Sequence, residues 1–215
     1  MTKEKVNCIL TILKIVIIYN LFALLLGILL FFVFSATSFV VQLMSLVVGI
    51  LLLPILMWQE KRNPFGLWDF SSKLDWKIVI GSVLLGILLY LTSIILGNLL
   101  NHPIEHEDYN AINYFLHFLC YVFVTAFVEE LFFRKMMVTY MQRSGFSMFA
   151  TLLVSSTLFY LNHVNLLLFD FHRIDTFVYG IALYSLYYKT RDIRYCMTSH
   201  ATINLLAVVY PVWMV

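Results

Sequence analysis

Long apolar runs follow one another along almost the whole chain, at roughly 7–34, 37–58, 77–100, 111–142, 146–169, 174–189 and 194–214. All but the sixth reach the ~20 residues a helix needs to cross the hydrocarbon core of a bilayer. The pattern predicts an all-α fold: a polytopic membrane helix bundle of about seven (6–8) transmembrane helices. Only Ser-Ala-Thr-Ser separates the first two runs, and the sixth is short.

Composition points the same way. The chain is 62% hydrophobic and 12% charged, whereas a soluble domain is about half apolar and a quarter charged. The net charge of +2 is small. No basic, aromatic-interleaved patch occurs, so nucleic acid is excluded as a partner. No internal repeat, low-complexity tract or domain boundary is visible, and residues 1–215 read as one integral membrane domain. Met-Thr-Lys-Glu-Lys opens onto an apolar run too long for a signal-peptide core. With no small-x-small cleavage site before the next span, a retained first helix is expected.

The basic residues orient the chain. With a cytoplasmic N-terminus, the inner side receives Lys3, Lys5, Lys61, Arg62, Lys73, Lys77, Arg143, Lys189, Arg191 and Arg194. The outer loops receive only Arg173, and the 101–110 loop carries Glu105, Glu107 and Asp108 without a lysine or arginine. This asymmetry is the positive-inside pattern. It implies an odd number of spans in an integral, multi-pass membrane protein, with a bacterial plasma membrane as the expected location. Segment 59–76, flanked and punctuated by Trp58, Trp68 and Trp76, reads as an interfacial connector with room for a short amphipathic helix.

Cys8, Cys120 and Cys196 are scattered, odd in number and without CxxC spacing, which suggests neither disulfides nor a zinc knuckle. Cys196 lies one helical turn before His200. A reactive thiol needs an electropositive setting, and the sequence gives no sign of one.

The chemistry concentrates elsewhere. Glu129 and Glu130 interrupt an apolar helix-length run, and Arg134 follows one turn later. Ionised groups at membrane depth are costly and persist chiefly where they face a polar interior and act there. Glu130 and Arg134, four residues apart, share a helix face and are expected to pair. Glu129 points about 100° away and is left to face a cavity as a general base. The plain alternative is a solvated turn or a purely architectural ion-pair cluster.

Phe159 and His163 lie four residues apart in the following run. Measured from the Ser144-Gly145 turn, Glu129 and His163 reach similar depth in an antiparallel helical hairpin. Taken alone, His163 would be a hydrogen-bonded structural histidine. The match in depth favours a functional one. His200 and Asn204, one turn apart, share a face of the last helix. His200 is only about 12 Å from the Arg191–Arg194 turn at the helical rise. That agrees with the depth of Glu129 if the 135–152 hairpin projects into the cytoplasm. His102, His106, His117 and His172 are less informative. A loop metal site from His102, Glu105 and His106 would need an organised surrounding shell, and a solvated loop is the simpler expectation.

Taken together, Glu129-Glu130-x-x-x-Arg134, Phe159-x-x-x-His163 and His200-x-x-x-Asn204, in that order, resemble the CPBP family. These are the CAAX proteases and bacteriocin-processing enzymes, also called Abi or Rce1-like. The resemblance covers about residues 111–210 as a catalytic core. It includes a run around Gly180 similar to the family's glycine-bearing helix and short basic turn. It implies an intramembrane endopeptidase. Catalytic roles then fall on Glu129 and His163, which would activate the attacking water, and on His200 and Asn204, which would stabilise the oxyanion. Glu130, Arg134 and Phe159 would support the site.

The implied partners are a peptide or protein substrate at the membrane and the lipid bilayer itself. A leader, pheromone or bacteriocin precursor is the expected substrate. No cofactor is expected. The alternative is zinc on Glu129, His163 and His200, a ligand set known from catalytic zinc sites, although the HExxH helix is absent. A different class of function also stays open: bacteriocin self-immunity or regulation through partner binding. A small transporter or proton relay is weaker still, since no inverted repeat or paired broken helices are found.

Overall fold

The structure, a computed structural model, describes residues 2–34, 52–62, 66–100, 111–163 and 173–213. Among these residues the fold is all-α, with seven helical segments and no strand. They are α1 (Lys3–Phe34), α2 (52–62), α3 (Trp76–Leu99), α4 (111–143), α5 (Met148–Leu161), α6 (Ile174–Thr190) and α7 (Ile193–Trp213). Trp76–Leu99 and Tyr114–Arg143 are long and apolar enough to cross a membrane. Much of the expected second span (37–58), the acidic 101–110 loop with His102, Glu105 and His106, and His172 lie outside the described residues, as does the side chain of His117.

The chain divides into two compact units: residues 1–67 with 108–146, and residues 68–107 with 147–215. In the first, α1 packs against the Met137–Arg143 end of α4. Cys8, Ile12 and Ile15 are its buried stripe, spaced four and three residues apart as one helix face requires. The Cys8 thiol reaches Ser144, and the Lys5 ammonium lies 5.4 Å from the centre of the Phe146 ring. The expected Ser144-Gly145 turn is present. Gly145 has φ +77°, Phe146 N–H donates to Met141 O at 3.1 Å, and Gly145 N–H donates to Gln142 O at 3.0 Å. This is a Schellman ending, which needs a left-handed residue where Gly145 stands.

In the second unit α3 packs on α6 and α7, and α6 packs on α5 and α7. Two glycines let the backbones approach. A Cβ at Gly86 would meet Ser199 O at 2.6 Å, and one at Gly180 would meet Ser156 Cα at 2.8 Å. Helix starts follow the sequence: the Asp75 side chain accepts from Lys77 N–H, and the Ser147 side chain accepts from Ala150 N–H. The connector differs in part from expectation. Residues 66–75 are non-helical, so no amphipathic helix forms there.

Candidate active site

The first cluster is carried by α4, which is not a uniform α-helix. Two π-helical stretches, Leu119–Thr125 and Leu131–Met136, bracket one α-helical turn, Ala126–Glu130, which carries both glutamates. Bonding from i to i+5 makes π-helix rare, and its short stretches are frequent at functional sites. No glycine or proline occurs between 111 and 143, so tertiary packing rather than a local breaker sets the wider turns.

Every residue from Val128 to Arg134 is buried. Within that run Glu130 Oε2 lies 3.3 Å from Arg134 Nε, both side chains wholly shielded from solvent. The expected pair is therefore formed, and in the interior rather than in a solvated turn. Arg134 also lies 5.9 Å from the centre of the Phe133 ring. Glu129 is buried in the same run. Tyr19 of α1 lies within electrostatic range of Glu129, a neighbour that sequence reasoning missed. Its only signal was a Tyr-Asn step in an otherwise apolar run.

The second cluster is built by α5 and α7. Helix α5 ends at Leu161, so His163 sits in its closing turn; residues 164–169 of the expected span lie outside the described residues. Its Nδ1 is 2.7 Å from Phe159 O. A carbonyl can only accept, so Nδ1 carries the proton and the neutral ring holds its lone pair on Nε2. The Phe159-x-x-x-His163 spacing is thus that of a side chain capping a carbonyl left open at a helix end.

The ring of Phe159 then meets both imidazoles. Its centroid is 4.6 Å from that of His163 and 5.8 Å from that of His200, the latter edge-on. His200 is buried and about 10 Å along α7 from Ile193. Asn204, half-buried, follows one turn later on the same face. Cys196 is buried and directs its thiol to Leu183 O at 3.4 Å, an inert structural role. Phe159, His163 and His200 are thus brought together in the second unit, while Glu129, Glu130 and Arg134 belong to the first. Among the described residues no group of three or more His, Cys, Asp or Glu side chains is arranged as a metal site.

Residues 111–206 match the family model described as type II CAAX prenyl endopeptidase Rce1-like. This stretch is similar to the Rce1-like family. It is a little under half of the chain, runs from α4 into α7 and contains all seven motif residues. No curated protein and no solved structure matches the chain. The match and the two long apolar helices together point to a membrane protein. Gly180 falls inside the matched stretch and lies against Ser156, one turn before Phe159.

Proposed function

We propose that the chain is an intramembrane endopeptidase in which Glu129, His163, His200 and Asn204 act on one scissile peptide bond. The observation that carries this reading is the Phe159 ring held against both His163 and His200, inside the stretch that matches a peptidase family. The contact sets two imidazoles, one from the closing turn of α5 and one from α7, against a single aromatic ring.

In this reading water attacks the carbonyl carbon while Glu129 takes its proton and the Nε2 lone pair of His163 orients it. The oxyanion that forms accepts hydrogen bonds from a protonated ring nitrogen of His200 and from Asn204 Nδ2. Such stabilisation is largest where water is excluded. The proton held by Glu129 then passes to the leaving amine as the C–N bond breaks. The Glu130–Arg134 pair fixes the helix that carries Glu129.

We favour a mechanism without a metal. His163 Nε2 has the chemistry of a ligand as well as of a base, so the test includes chelation and metal analysis of the purified protein. A stoichiometric zinc whose removal abolishes cleavage would overturn the metal-free form. The substrate is a membrane-associated peptide, such as a leader, pheromone or bacteriocin precursor. The protein crosses a bacterial plasma membrane several times with its N-terminus in the cytoplasm, as the basic residues require.

The deciding experiment is cleavage of lipid-associated peptides by reconstituted protein, compared with Glu129→Gln, His163→Ala, His200→Ala and Asn204→Ala. Glu129→Gln is expected to lose activity by at least about 100-fold, the usual scale for a positioned general base, while unfolding at an unchanged temperature. A folded Glu129→Gln protein that still performs the cellular role would show that proteolysis is not the function.

A further inference from the structure

The start of α7 does more than turn the chain. Arg194 donates from Nη1 to Phe70 O at 3.2 Å and from Nη2 to Ser72 O at 2.6 Å. Ser72 Oγ donates to Asp192 Oδ2 at 3.0 Å, and Asp75 N–H donates to Tyr195 Oη at 2.8 Å. The non-helical connector is therefore tied at several points to the α6–α7 turn. The connector's outward side chains are thereby set beside the turn, all within the second unit.

Those side chains are of two kinds. Trp68, Leu74 and Trp76 are exposed, Trp76 to 70%. Lys73, Lys77, Lys189 and Arg191 are exposed beside them, with Arg191 lying 4.7 Å from the centre of the Tyr188 ring. The neighbouring carboxylates are engaged: Asp75 caps α3, Asp192 is held by Arg194 and Ser72, and Asp69 accepts from Ser71. Four outward cations therefore face two exposed carboxylates, Asp69 and Asp75, so positive charge is in excess among exposed indoles. Indoles sit at headgroup level in a bilayer, and clustered Lys and Arg beside them attract anionic lipid.

We propose that the latched connector and the α6–α7 turn together form a binding surface for anionic phospholipid headgroups, with Trp68 and Trp76 inserted as anchors and Lys73, Lys77, Lys189 and Arg191 selecting negative charge. Charge complementarity chooses this occupant over a neutral lipid. The fixed backbone means that little conformational freedom is lost when the headgroups bind.

The test is fluorescence quenching in vesicles of phosphatidylglycerol and phosphatidylcholine, using full-length protein in which Trp58, Trp68 and Trp213 are replaced by Phe. One lipid or the other carries brominated acyl chains at the same mole fraction. Trp76 emission is expected to fall at least twofold more with brominated phosphatidylglycerol. The preference is expected to vanish in the combined Lys73→Gln, Lys77→Gln, Lys189→Gln and Arg191→Gln variant, and to shrink as salt is raised. Equal quenching by the two lipids in the protein with its cations intact overturns the proposal. A preference that survives the four substitutions overturns it as well. Quenching by neither lipid places Trp76 away from the bilayer, as a protein partner on this surface would require, and also overturns it. The first comparison needs no charge variant, so misfolding of the fourfold variant leaves it decisive.

Discussion

The carbonyl oxygen of Phe159 accepts the Nδ1 proton of His163 at 2.7 Å, and the ring of the same Phe159 packs against His163 and His200. One residue thus fixes the tautomer of one imidazole and the position of two. Replacing Phe159 by Leu keeps the carbonyl and most of the volume but removes the flat wall. A volume-conserving change of this kind costs less than about 1.5 kcal/mol of stability. Small misplacement of reacting groups, by contrast, costs up to about 100-fold in rate. Phe159→Leu is expected to unfold within a few degrees of the parent while peptide cleavage falls at least tenfold. Paired melting curves and rate measurements check this, and parallel loss of both would point to a merely structural phenylalanine.

The Glu130–Arg134 pair makes a separate claim. Both side chains are wholly buried. Removing one partner strands a charge, at a cost of about 3–5 kcal/mol, whereas exchanging both for apolar groups is often neutral. Arg134→Met is therefore expected to unfold the protein at markedly lower temperature. Glu130→Leu combined with Arg134→Met should recover most of that loss without restoring full cleavage. Thermal unfolding of the two single variants and the double variant gives the coupling directly; additive losses would show that the ion pair does not hold this helix.

Much of this was legible beforehand, for identifiable reasons. The Glu130–Arg134 pairing follows from helical periodicity and the cost of buried charge. The Ser144-Gly145 ending follows from glycine's access to positive φ, and the motif order picked out Phe159, His163 and His200. Other features leave no local trace. The π-helical stretches on either side of Ala126–Glu130 shift hydrogen-bond register without glycine or proline, so they belong to packing. The end of α5 at Leu161 was hidden because the apolar run continues to 169. Hydropathy reports environment, not hydrogen bonding. The proximity of Tyr19 to Glu129 joins residues over a hundred positions apart, which spacing arguments cannot reach.

Gly180 and Gly86 set how closely helices approach behind Phe159 and His200. A Cβ at Gly180 would lie 2.8 Å from Ser156 Cα, and one at Gly86 would lie 2.6 Å from Ser199 O. Both obstacles are backbone atoms, which cannot swing aside. Gly180→Ala and Gly86→Ala are each expected to destabilise by about 1–3 kcal/mol through overpacking, despite alanine's better helix propensity. Denaturation in detergent micelles measures this, with Gly81→Ala as a control, because nothing lies within 4 Å of a Cβ there. Equal behaviour of all three variants would remove close packing as the reason for these glycines.

The α6–α7 turn carries a pH dependence of defined sign. Partial burial works to raise the Asp192 carboxyl, but hydrogen bonds from the Arg194 side chain and backbone and from Ser72 outweigh it and hold the group below its ordinary value. A carboxyl depressed on folding adds stability above its unfolded pKa, about 3.9, and loses that contribution as pH falls through the folded value. The latch between the connector and α7 is therefore firm near neutrality and weakens only in acid. Asp192→Asn removes the titrating group but keeps an acceptor. Its unfolding temperature is expected to lie below the parent's at pH 7, and the gap should narrow as pH falls below about 4. Unfolding followed in parallel across that range decides the matter: a gap that widens in acid would mean the carboxylate does not strengthen the latch in the folded protein.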